Sequence, residues 1–225
     1  MNRISVAIDG PSGAGKSTIA RAAARTLGFL YVDTGALYRA IGLAVCRKGY
    51  DGRDREEVLS VLPEIKVELH YLMDIQRVCL NGEDVSELIR TPQISQFASR
   101  VSAIPEVREF LLDIQRDMAA RNSVVMDGRD IGTVILPYAE VKIFLTASAE
   151  KRAERRCAEL RERGEPAELS AVLASMAQRD AQDATRAVAP LRKARDAVLV
   201  DTSNLTLEQS IQAVLRIIRQ AQQVR

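Results

Sequence analysis

Five short apolar segments lie far apart along the chain and predict the strands of a buried sheet. Valine and isoleucine dominate them, and their apolar residues run continuously instead of alternating with polar ones. That pattern is typical of strands covered on both faces, as in a parallel sheet. The predicted strands are Ile4–Asp9, Phe29–Asp33, Ser123–Asp127, Val141–Leu145 and Ala197–Asp201.

Stretches with helical spacing of apolar residues separate these strands. The predicted helices are Lys16–Leu27, Gly35–Arg47, Pro105–Arg121, Glu150–Arg163 and Thr206–Gln223. Alternating strands and helices predict right-handed crossovers in an open α/β fold, whose ligands bind beyond the carboxyl ends of the strands. Four of the five strands end in Asp at that edge, although Asp33 and Asp201 would equally suit helix N-caps.

Two segments depart from this alternation. Residues Ile65–Val85 alternate polar and apolar positions around Asn81-Gly82, which predicts a small antiparallel insert with a tight hairpin turn. Residues Ala149–Ala167 are densely charged. Two interpretations fit that segment: a solvated helix with spaced ion pairs, or a basic lid that closes over a ligand.

The last predicted helix carries an apolar stripe. Its members are Leu207, Ile211, Val214, Leu215 and Ile218. We expect this stripe to pack on the core, with a dimer contact as the alternative, and we expect the protein to be a monomer.

Composition narrows the classes of function. The chain has 225 residues and a net charge of +2, from 32 basic and 30 acidic side chains, which argues against a nucleic-acid partner. Codon bias explains most of the excess of 26 Arg over 6 Lys, so only arginines within motifs carry information. Three scattered cysteines and a lone His70 predict neither a disulfide framework nor a His/Cys metal site. With no bilayer-length apolar run and no signal peptide, we expect a cytoplasmic protein without a membrane partner.

The segment between the first predicted strand and helix matches the phosphate-binding pattern G-x-x-x-x-G-K-[ST] in full. Its residues, predicted with the following Thr18 to bind ATP, are Gly10, Pro11, Ser12, Gly13, Ala14, Gly15, Lys16 and Ser17. Glycines let successive backbone N–H groups point at one anion, and the helix N-terminus adds its dipole. We expect Lys16 to reach the β- and γ-phosphates and Ser17 to hold Mg²⁺.

The phosphate loop does not choose the reaction, since GTPases, motors, transporter subunits and small-molecule kinases share it. The chain contains no N-K-x-D segment of the kind that reads guanine. Asp127 ends an apolar strand, which suits a carboxylate that supports Mg²⁺ through water. Asp127 is therefore the second predicted metal-binding residue.

Transfer to a second phosphate requires cations on the acceptor and on the transferring group. Arginines occur in three motif-like settings, Asp33–Arg39, Asp127–Asp130 and Arg179–Arg186. In the last, the spacing of residues 179, 183 and 186 predicts one shared helix face. That face suits either an acceptor site or a surface ladder of salt bridges.

Seven segments spread over nearly the whole chain resemble bacterial cytidylate kinases, members of the nucleoside monophosphate kinase family. They read IDGPSGAGKST, DTGALYR, NGEDVSELIRT, ASRVSAIPEVRE, DGRDIGTVILPYAEVKIFLTAS, RD..D..RAVAPL and VLVDTSNLTLEQ. The first alone indicates only a kinase-like phosphate loop. DGRDIGTV together with RAVAPL and the insert is specific to this family.

The resemblance implies a P-loop core with a parallel five-stranded sheet flanked by helices, a small antiparallel insert and a helical lid. It implies one domain over residues 1–225, with an acceptor-binding region at 34–122, an insert at 63–86 within it, and a lid at 148–168. The implied reaction transfers a phosphoryl group from MgATP to CMP or dCMP, giving the diphosphate and ADP.

The resemblance also implies residue roles. The acceptor phosphate would be bound by Arg39, Arg129 and Arg186, the sugar hydroxyls by Arg179 and Asp183, and cytosine by Ser99, Arg108 and Asp130, with Thr34 in the same site. The lid would bring Arg152, Arg155 and Arg156 onto the ATP phosphates, and Arg155 would join Lys16, Arg129 and Arg186 as a catalytic residue. A solvated helix face remains the alternative for the three lid arginines.

The proposed base-reading residues match the chemistry of cytosine. An ionised Asp130 would accept a hydrogen bond from the exocyclic amine, while Arg108 and Ser99 would donate to N3 and O2. Uracil carries a carbonyl oxygen in place of that amine, and burying the mismatch costs about 1–3 kcal/mol. The sequence therefore predicts a preference for CMP over UMP.

Two other functions remain open on the sequence. A P-loop kinase for UMP, another nucleotide or a small metabolite would share the phosphate loop. A non-catalytic nucleotide-binding or RNA-associated protein would use the basic lid to grip RNA. Three features argue against this RNA-associated function: the near-neutral net charge, the small number of aromatic residues and the absence of an RNA-binding motif.

Overall fold

The computed structural model describes residues 3–73, 75–162 and 164–223. Its main sheet contains five parallel strands, as predicted, and they lie close to the predicted segments. The strands of the main sheet are β1 (Ser5–Asp9), β2 (Leu30–Asp33), β6 (Val124–Gly128), β7 (Val141–Thr146) and β8 (Val198–Asp201). A second, smaller sheet contains β3 (Val67–Leu72), β4 (Ile75–Leu80) and β5 (Glu83–Asp84). The order across the main sheet is β2-β6-β1-β7-β8, which puts β1 at its centre.

Helices flank this sheet on both faces. The α-helices of the described residues are α1 (Lys16–Leu27), α2 (Thr34–Arg47), α3 (Arg55–Val61), α4 (Pro92–Val101), α5 (Pro105–Arg121), α6 (Ala149–Glu162), α7 (Leu169–Thr185) and α8 (Leu207–Gln223), of which α1, α2, α5 and α8 pack on the main sheet. The five predicted helices are confirmed as α1, α2, α5, α6 and α8, with ends that shift by a residue. The predicted end of the lid helix, Arg163, lies outside the described residues. None of the described helices is long and apolar enough to cross a bilayer.

Three helices were missing from the predicted set. Helix α3 has only seven residues and depends on Asp54, whose side chain accepts from the backbone N–H groups of Glu56 and Glu57. Helix α4 begins at Thr91-Pro92, where the threonine hydroxyl caps the first turn. Helix α7 was anticipated only through the spacing of residues 179–186.

The predicted single helix face over residues 179–186 is wrong at its last member. Helix α7 ends at Thr185, and Arg186 has a ψ of 141°, outside the helical region. The side chains of Arg179 and Asp183 therefore share a helix turn, whereas Arg186 approaches from the loop that follows.

The C-terminal helix packs on the core, as predicted. Val214, Leu215 and Ile218 are almost fully buried against α1 and the strands of the main sheet. Leu207 is the exception within the predicted stripe, because it lies at the first residue of α8 with 54% of its surface exposed.

The insert is an antiparallel sheet of β3, β4 and β5, as predicted. Asn81 and Gly82 have φ angles of 51° and 83° and form the two-residue turn between β4 and β5, which confirms the predicted hairpin. Its inward face buries Val67, Val78 and Leu80 in the cluster built around α2 and α4. The insert thus forms one wall beside the carboxyl end of β2.

Candidate active site

The phosphate loop connects β1 to α1, and its shape depends on glycine. Gly10 has a φ of 151°, and a Cβ on it would lie 1.9 Å from the carbonyl oxygen of Leu145. Gly13 has a φ of 72°, and a Cβ there would collide with the side chain of Met176. Both positions exclude side chains, so the backbone is free to wrap around an anion at the start of α1.

Lys16 lies at the first position of α1 and is buried in the loop, with 6% of its surface exposed. Its ammonium group donates to the carbonyl oxygen of Pro11 at 2.7 Å. Burial, together with the charge of Arg129, lowers the pKa of Lys16 to about 7. A bound polyphosphate would oppose this shift, because an anion at the loop favours the charged ammonium.

The predicted metal-binding residues are hydrogen-bonded to each other. The Ser17 hydroxyl donates to Oδ2 of Asp127 at 2.8 Å, and the Tyr31 hydroxyl donates to Oδ1 at 3.0 Å. Burial raises the pKa of Asp127 to about 6, and nearby Asp33 adds to that shift. The hydroxyl and carboxylate oxygens of Ser17 and Asp127 are the ligand type that Mg²⁺ prefers, so the pair fits this ion.

The strand-end aspartates lie together at the carboxyl edge of β1, β2 and β6, as the sheet register requires. Asp33 is the N-cap of α2, which confirms the alternative role that the sequence allowed for it. Its carboxylate also pairs with Arg39 at 2.7 Å. Asp9 accepts from the backbone N–H groups of Ile131 and Gly132, both at 2.8 Å. Asp201 does not cap a helix, since it accepts instead from Ser203.

Arginines converge on the space between the phosphate loop and α2. Arg129 pairs with Asp183 at 2.7 Å, and Arg186 donates to the carbonyl oxygen of Ala189 at 2.6 Å. Arg179 has no hydrogen bond or ion pair within the described part of the chain, and its buried Nε has no partner there. Burial and the charge of Arg129 lower the pKa of Arg179 to about 10. Asp183 opposes this shift, while Arg39 and Arg156 add to it. A buried guanidinium that has no ion pair among the described residues is suited to binding an anion.

The residues assigned to cytosine lie on α4, on α5 and just after β6. Asp130 is 3% exposed and forms a buried ion pair with Arg108, while Arg186 approaches its other oxygen at 3.5 Å. The Arg108 guanidinium also lies 5.3 Å from the ring centroid of Tyr38. Ser99 is engaged by α7, because its hydroxyl donates to Gln182 at 3.2 Å. The side chain of Thr34 donates to the backbone carbonyl of Asp127 at 2.8 Å.

All three predicted lid arginines are engaged with the protein itself. Arg152 is buried and donates to the carbonyl oxygen of Ser12 at 2.9 Å and to Asp180 at 2.5 Å. Arg155 donates to the carbonyl oxygen of Thr202 at 2.7 Å. Arg156 pairs with Glu159 on the surface of α6 at 2.7 Å. Of the three, Arg152 touches the phosphate loop directly.

Three residues at this site received no role from the sequence. Asp180 binds Arg152 and accepts from the backbone N–H of Ser12 at 3.3 Å, which ties α7 to the phosphate loop. Tyr31 holds Asp127, and Gln182 holds Ser99. Asp180 and Gln182 lie inside the motif of residues 179–186, so their position was a signal. Nothing in the sequence pattern marked Tyr31, which reads as an ordinary strand residue.

Comparison with known sequences gives matches over almost the whole chain. A profile of the cytidylate kinase family matches residues 6–220. The curated cytidylate kinase of Caldicellulosiruptor saccharolyticus is 50% identical over 217 residues, covering 96% of each chain. That of Carboxydothermus hydrogenoformans is 48% identical over 213 residues, covering 95% of this chain and 96% of the relative.

Solved structures share the architecture at much lower sequence identity. An uncharacterized protein from Eubacterium ventriosum superposes with a TM-score of 0.55 at 12% identity, over 96% of this chain and 99% of that one. A shikimate kinase from Bacteroides thetaiotaomicron superposes with a TM-score of 0.50 at 14% identity, over 96% and 98%. At such identities the likeness establishes the fold alone, which is the predicted P-loop kinase fold.

Proposed function

Since the chain belongs to the cytidylate kinase family, we propose a route by which its described residues bring ATP and CMP together for reaction. The enzyme is an ATP-dependent (d)CMP kinase, which transfers a phosphoryl group from ATP to the phosphate of CMP. No observation favours a kinase for another acceptor or a non-catalytic binding protein.

The observation that carries the residue assignment is the buried guanidinium of Arg179, which has no ion pair among the described residues and lies near both the phosphate loop and the proposed acceptor site. The charge of Arg129 acts on both Lys16 of the phosphate loop and Arg179 of α7, so these three cations are close neighbours. Asp183, which pairs with Arg129, and Asp127 compensate part of this positive charge, and bound phosphates would compensate more of it. The triphosphate of ATP and the phosphate of CMP would meet here and supply that negative charge.

ATP would bind with its phosphates in the loop Gly10–Ser17, continued by Thr18 on α1. Lys16 would contact the transferring phosphoryl group, and Arg152, Arg155 and Arg156 would approach it from the lid. These lid arginines have protein partners, so their engagement with ATP requires α6 to move or their partners to be exchanged. Such closure would also exclude water and limit ATP hydrolysis.

The acceptor would lie between α2, α5 and α7. Arg39, Arg129 and Arg186 would bind its phosphate, and Arg179 with Asp183 would bind the sugar hydroxyls. Because Arg179 also belongs to the cation cluster, it would stabilise the phosphate charge from the same position. The acceptor phosphate is an anionic nucleophile at neutral pH, so the reaction needs no covalent enzyme intermediate and no strong general base.

Catalysis then consists of positioning and charge neutralisation. In the transition state, charge spreads over the equatorial oxygens of the transferring group, where Lys16, Arg129, Arg186 and Arg155 would stabilise it. Mg²⁺ held by Ser17 and by Asp127 through water would neutralise charge on the donor phosphates. Lys16, Arg129 and Arg186 would hold charge in place before the substrates arrive, whereas Arg155 would join them when the lid closes.

Base selection would depend on Asp130. Its carboxylate is held between Arg108 and Arg186, which supports a hydrogen-bond acceptor of fixed position at the base edge. Cytosine offers an amine to that carboxylate, whereas uracil offers a second oxygen. Ser99 and Thr34 would complete the pocket.

We further propose that the protein acts as a cytoplasmic monomer with no nucleic-acid or membrane partner.

A screen of acceptors by coupled ADP release tests this assignment. We expect turnover with CMP and dCMP, and a kcat/KM for UMP that is lower by roughly tenfold or more, as the cost of one mismatched buried hydrogen bond requires. Values for CMP and UMP within about threefold of each other would contradict the role of Asp130. Binding of ATP without phosphorylation of any nucleotide would contradict the kinase assignment itself.

A further inference from the structure

The edge of the main sheet next to the acceptor site is covered by two side chains of the insert. Strand β2 is an edge strand, and the backbone groups on its open side need partners. The Tyr71 hydroxyl donates to the carbonyl oxygen of Tyr31 at 3.0 Å. The Gln76 amide bonds twice to Asp33, accepting from its N–H at 2.8 Å and donating to its carbonyl oxygen at 3.2 Å.

These two side chains form one structural unit. Tyr71 and Gln76 are directly opposite each other in the ladder of β3 and β4, so they project from the same face of the insert. That face also carries buried Val78, which packs on the core at the base of the hairpin. Nearer the tip, Leu72 and Ile75 are 60% and 55% exposed. The outer half of this hairpin is therefore held to β2 by hydrogen bonds of Tyr71 and Gln76, which we name the insert clasp.

The insert clasp leads directly to an arginine of the proposed acceptor site. Asp33, whose backbone Gln76 binds, uses one carboxylate oxygen to cap α2 and the other to hold Arg39 at 2.7 Å. A Cβ on Gly35 would lie 3.2 Å from both Arg39 and Asp33, so this ion pair is closely surrounded. Asp33, Arg39 and Gln76 line the same cleft between the insert and β2.

We propose that Gln76 and Tyr71 are positioning residues for acceptor binding, through which the insert fixes the Asp33–Arg39 pair. This inference rests on the proposed role of Arg39 at the acceptor phosphate. The clasp holds the backbone of β2 up to Asp33, and the carboxylate of Asp33 sets where the Arg39 guanidinium lies. Loosening the clasp misplaces that guanidinium while the phosphate loop, on the other side of β6, keeps its geometry.

Separate KM values for CMP and ATP test this inference in the full-length enzyme. The variants are Gln76→Leu, which keeps the bulk and removes the amide, and Tyr71→Phe, which removes only a hydroxyl. We expect each to raise the KM for CMP roughly fivefold or more, the size of one lost hydrogen bond, and to change the KM for ATP less than about twofold. The control is His70→Ala, an exposed position on the outer face of the same strand.

A coupling measurement separates positioning from a merely structural role. In an Arg39→Met background, Gln76→Leu should leave the KM for CMP nearly unchanged, because the residue through which it acts is gone. Two results would overturn the inference. One is an equal increase in the KM for CMP and the KM for ATP, together with a lower melting temperature. The other is an effect of Gln76→Leu on the KM for CMP that is as large in the Arg39→Met background as in the wild type. Unchanged KM values in Gln76→Leu and Tyr71→Phe would also overturn the inference. In each of these cases, normal turnover of CMP by the wild type would still support the proposed function.

Discussion

Asp9, Asp33 and Asp127 lie side by side at the carboxyl edge of the sheet, and each carboxylate has a different set of partners. Asp9 accepts from two backbone N–H groups, Asp33 from a helix N-terminus and an arginine, and Asp127 from two hydroxyls. Only Asp127 has partners that a metal ion can replace without exposing an orphaned backbone group. At the residue scale, Asp9 holds the backbone at Ile131 and Gly132, Asp33 caps α2, and Asp127 is the carboxylate best suited to a metal ion.

Removing a cation of the transfer site should affect turnover far more than stability. We expect Lys16→Ala and Arg129→Ala each to lower kcat by on the order of 100-fold or more, because their charge is needed most in the transition state. Steady-state kinetics and thermal unfolding of the same samples measure both effects. The control is Lys151→Ala, an exposed lysine of α6. Near-normal turnover in either variant would refute the role of that residue.

The buried carboxyl of Asp9 should make stability depend on pH. Burial raises its pKa to about 6, above the value of about 3.9 expected in the unfolded chain. The folded state therefore takes up the proton first as pH falls through 6, and the contribution of Asp9 to stability decreases as pH rises from about 4 to about 6. Above that window the contribution is constant.

Urea unfolding of the wild type and Asp9→Asn across pH 4.5 to 7.5 measures this dependence. We expect the free energy of unfolding of the wild type, relative to the variant, to fall by about 1–3 kcal/mol as pH rises through the window. Asp117→Asn, at an exposed carboxylate of α5, controls for the loss of charge. A difference that is flat or rises with pH would contradict the burial argument.

At the scale of elements, the strands and the long helices could be predicted because their signals are local. Continuous apolar runs fixed the five core strands, and the pattern of glycines with Lys16 and Ser17 fixed the phosphate loop. The short helices α3 and α4 depend on the single caps Asp54 and Thr91, which a pattern of apolar residues does not reveal.

The contacts among elements were out of reach for a different reason. Asp180 meets the phosphate loop across 168 residues of sequence, and Gln76 meets Asp33 across 43. No local spacing encodes such pairs, because they depend on where the crossovers put α7 and the insert. Arg186 shows the same limit at short range, since the end of α7 at Thr185 removed it from the predicted face.

The packing of α8 yields a prediction with a control on the same helix. Leu215→Ala removes a side chain that is 2% exposed, so we expect it to lower the free energy of unfolding by about 2–5 kcal/mol. Leu207→Ala removes the same atoms where 54% of the surface is exposed, and should cost less than about 0.5 kcal/mol. Urea unfolding measures both, and similar losses would show that the stripe does not pack as described.

For the whole molecule, we expect the buried Arg179 to link ligand binding to stability. Burial beside Arg129 lowers the pKa of its guanidinium, which disfavours the charged form, and we expect a bound phosphate to relieve that cost. Ligand at about 100 times its Kd should add about 2.7 kcal/mol, which raises the melting temperature of a domain this size by about 5–10 °C. Arg179→Met should therefore raise the melting temperature of the empty protein and reduce the shift that CMP and ATP produce.

Thermal unfolding with no nucleotide, CMP, ATP or both distinguishes these effects. Arg216→Met on the exposed side of α8 is the matched control and should change neither the starting temperature nor the shifts. A lower melting temperature for empty Arg179→Met, with an unaltered shift on adding nucleotide, would contradict an anion-binding role for this cation.

The central position of β1 also affects how the enzyme is made on the ribosome. Strand β1 emerges first, but its sheet neighbours begin only at Val124 and Val141, in the second half of the chain. The phosphate loop turns against the backbone of Leu145, so its shape is complete only after β7 has been synthesised. We therefore expect an unfinished chain that ends before β7 to carry the sequence of the nucleotide site without binding a nucleotide, so that nucleotide capture waits for the later strands of the core.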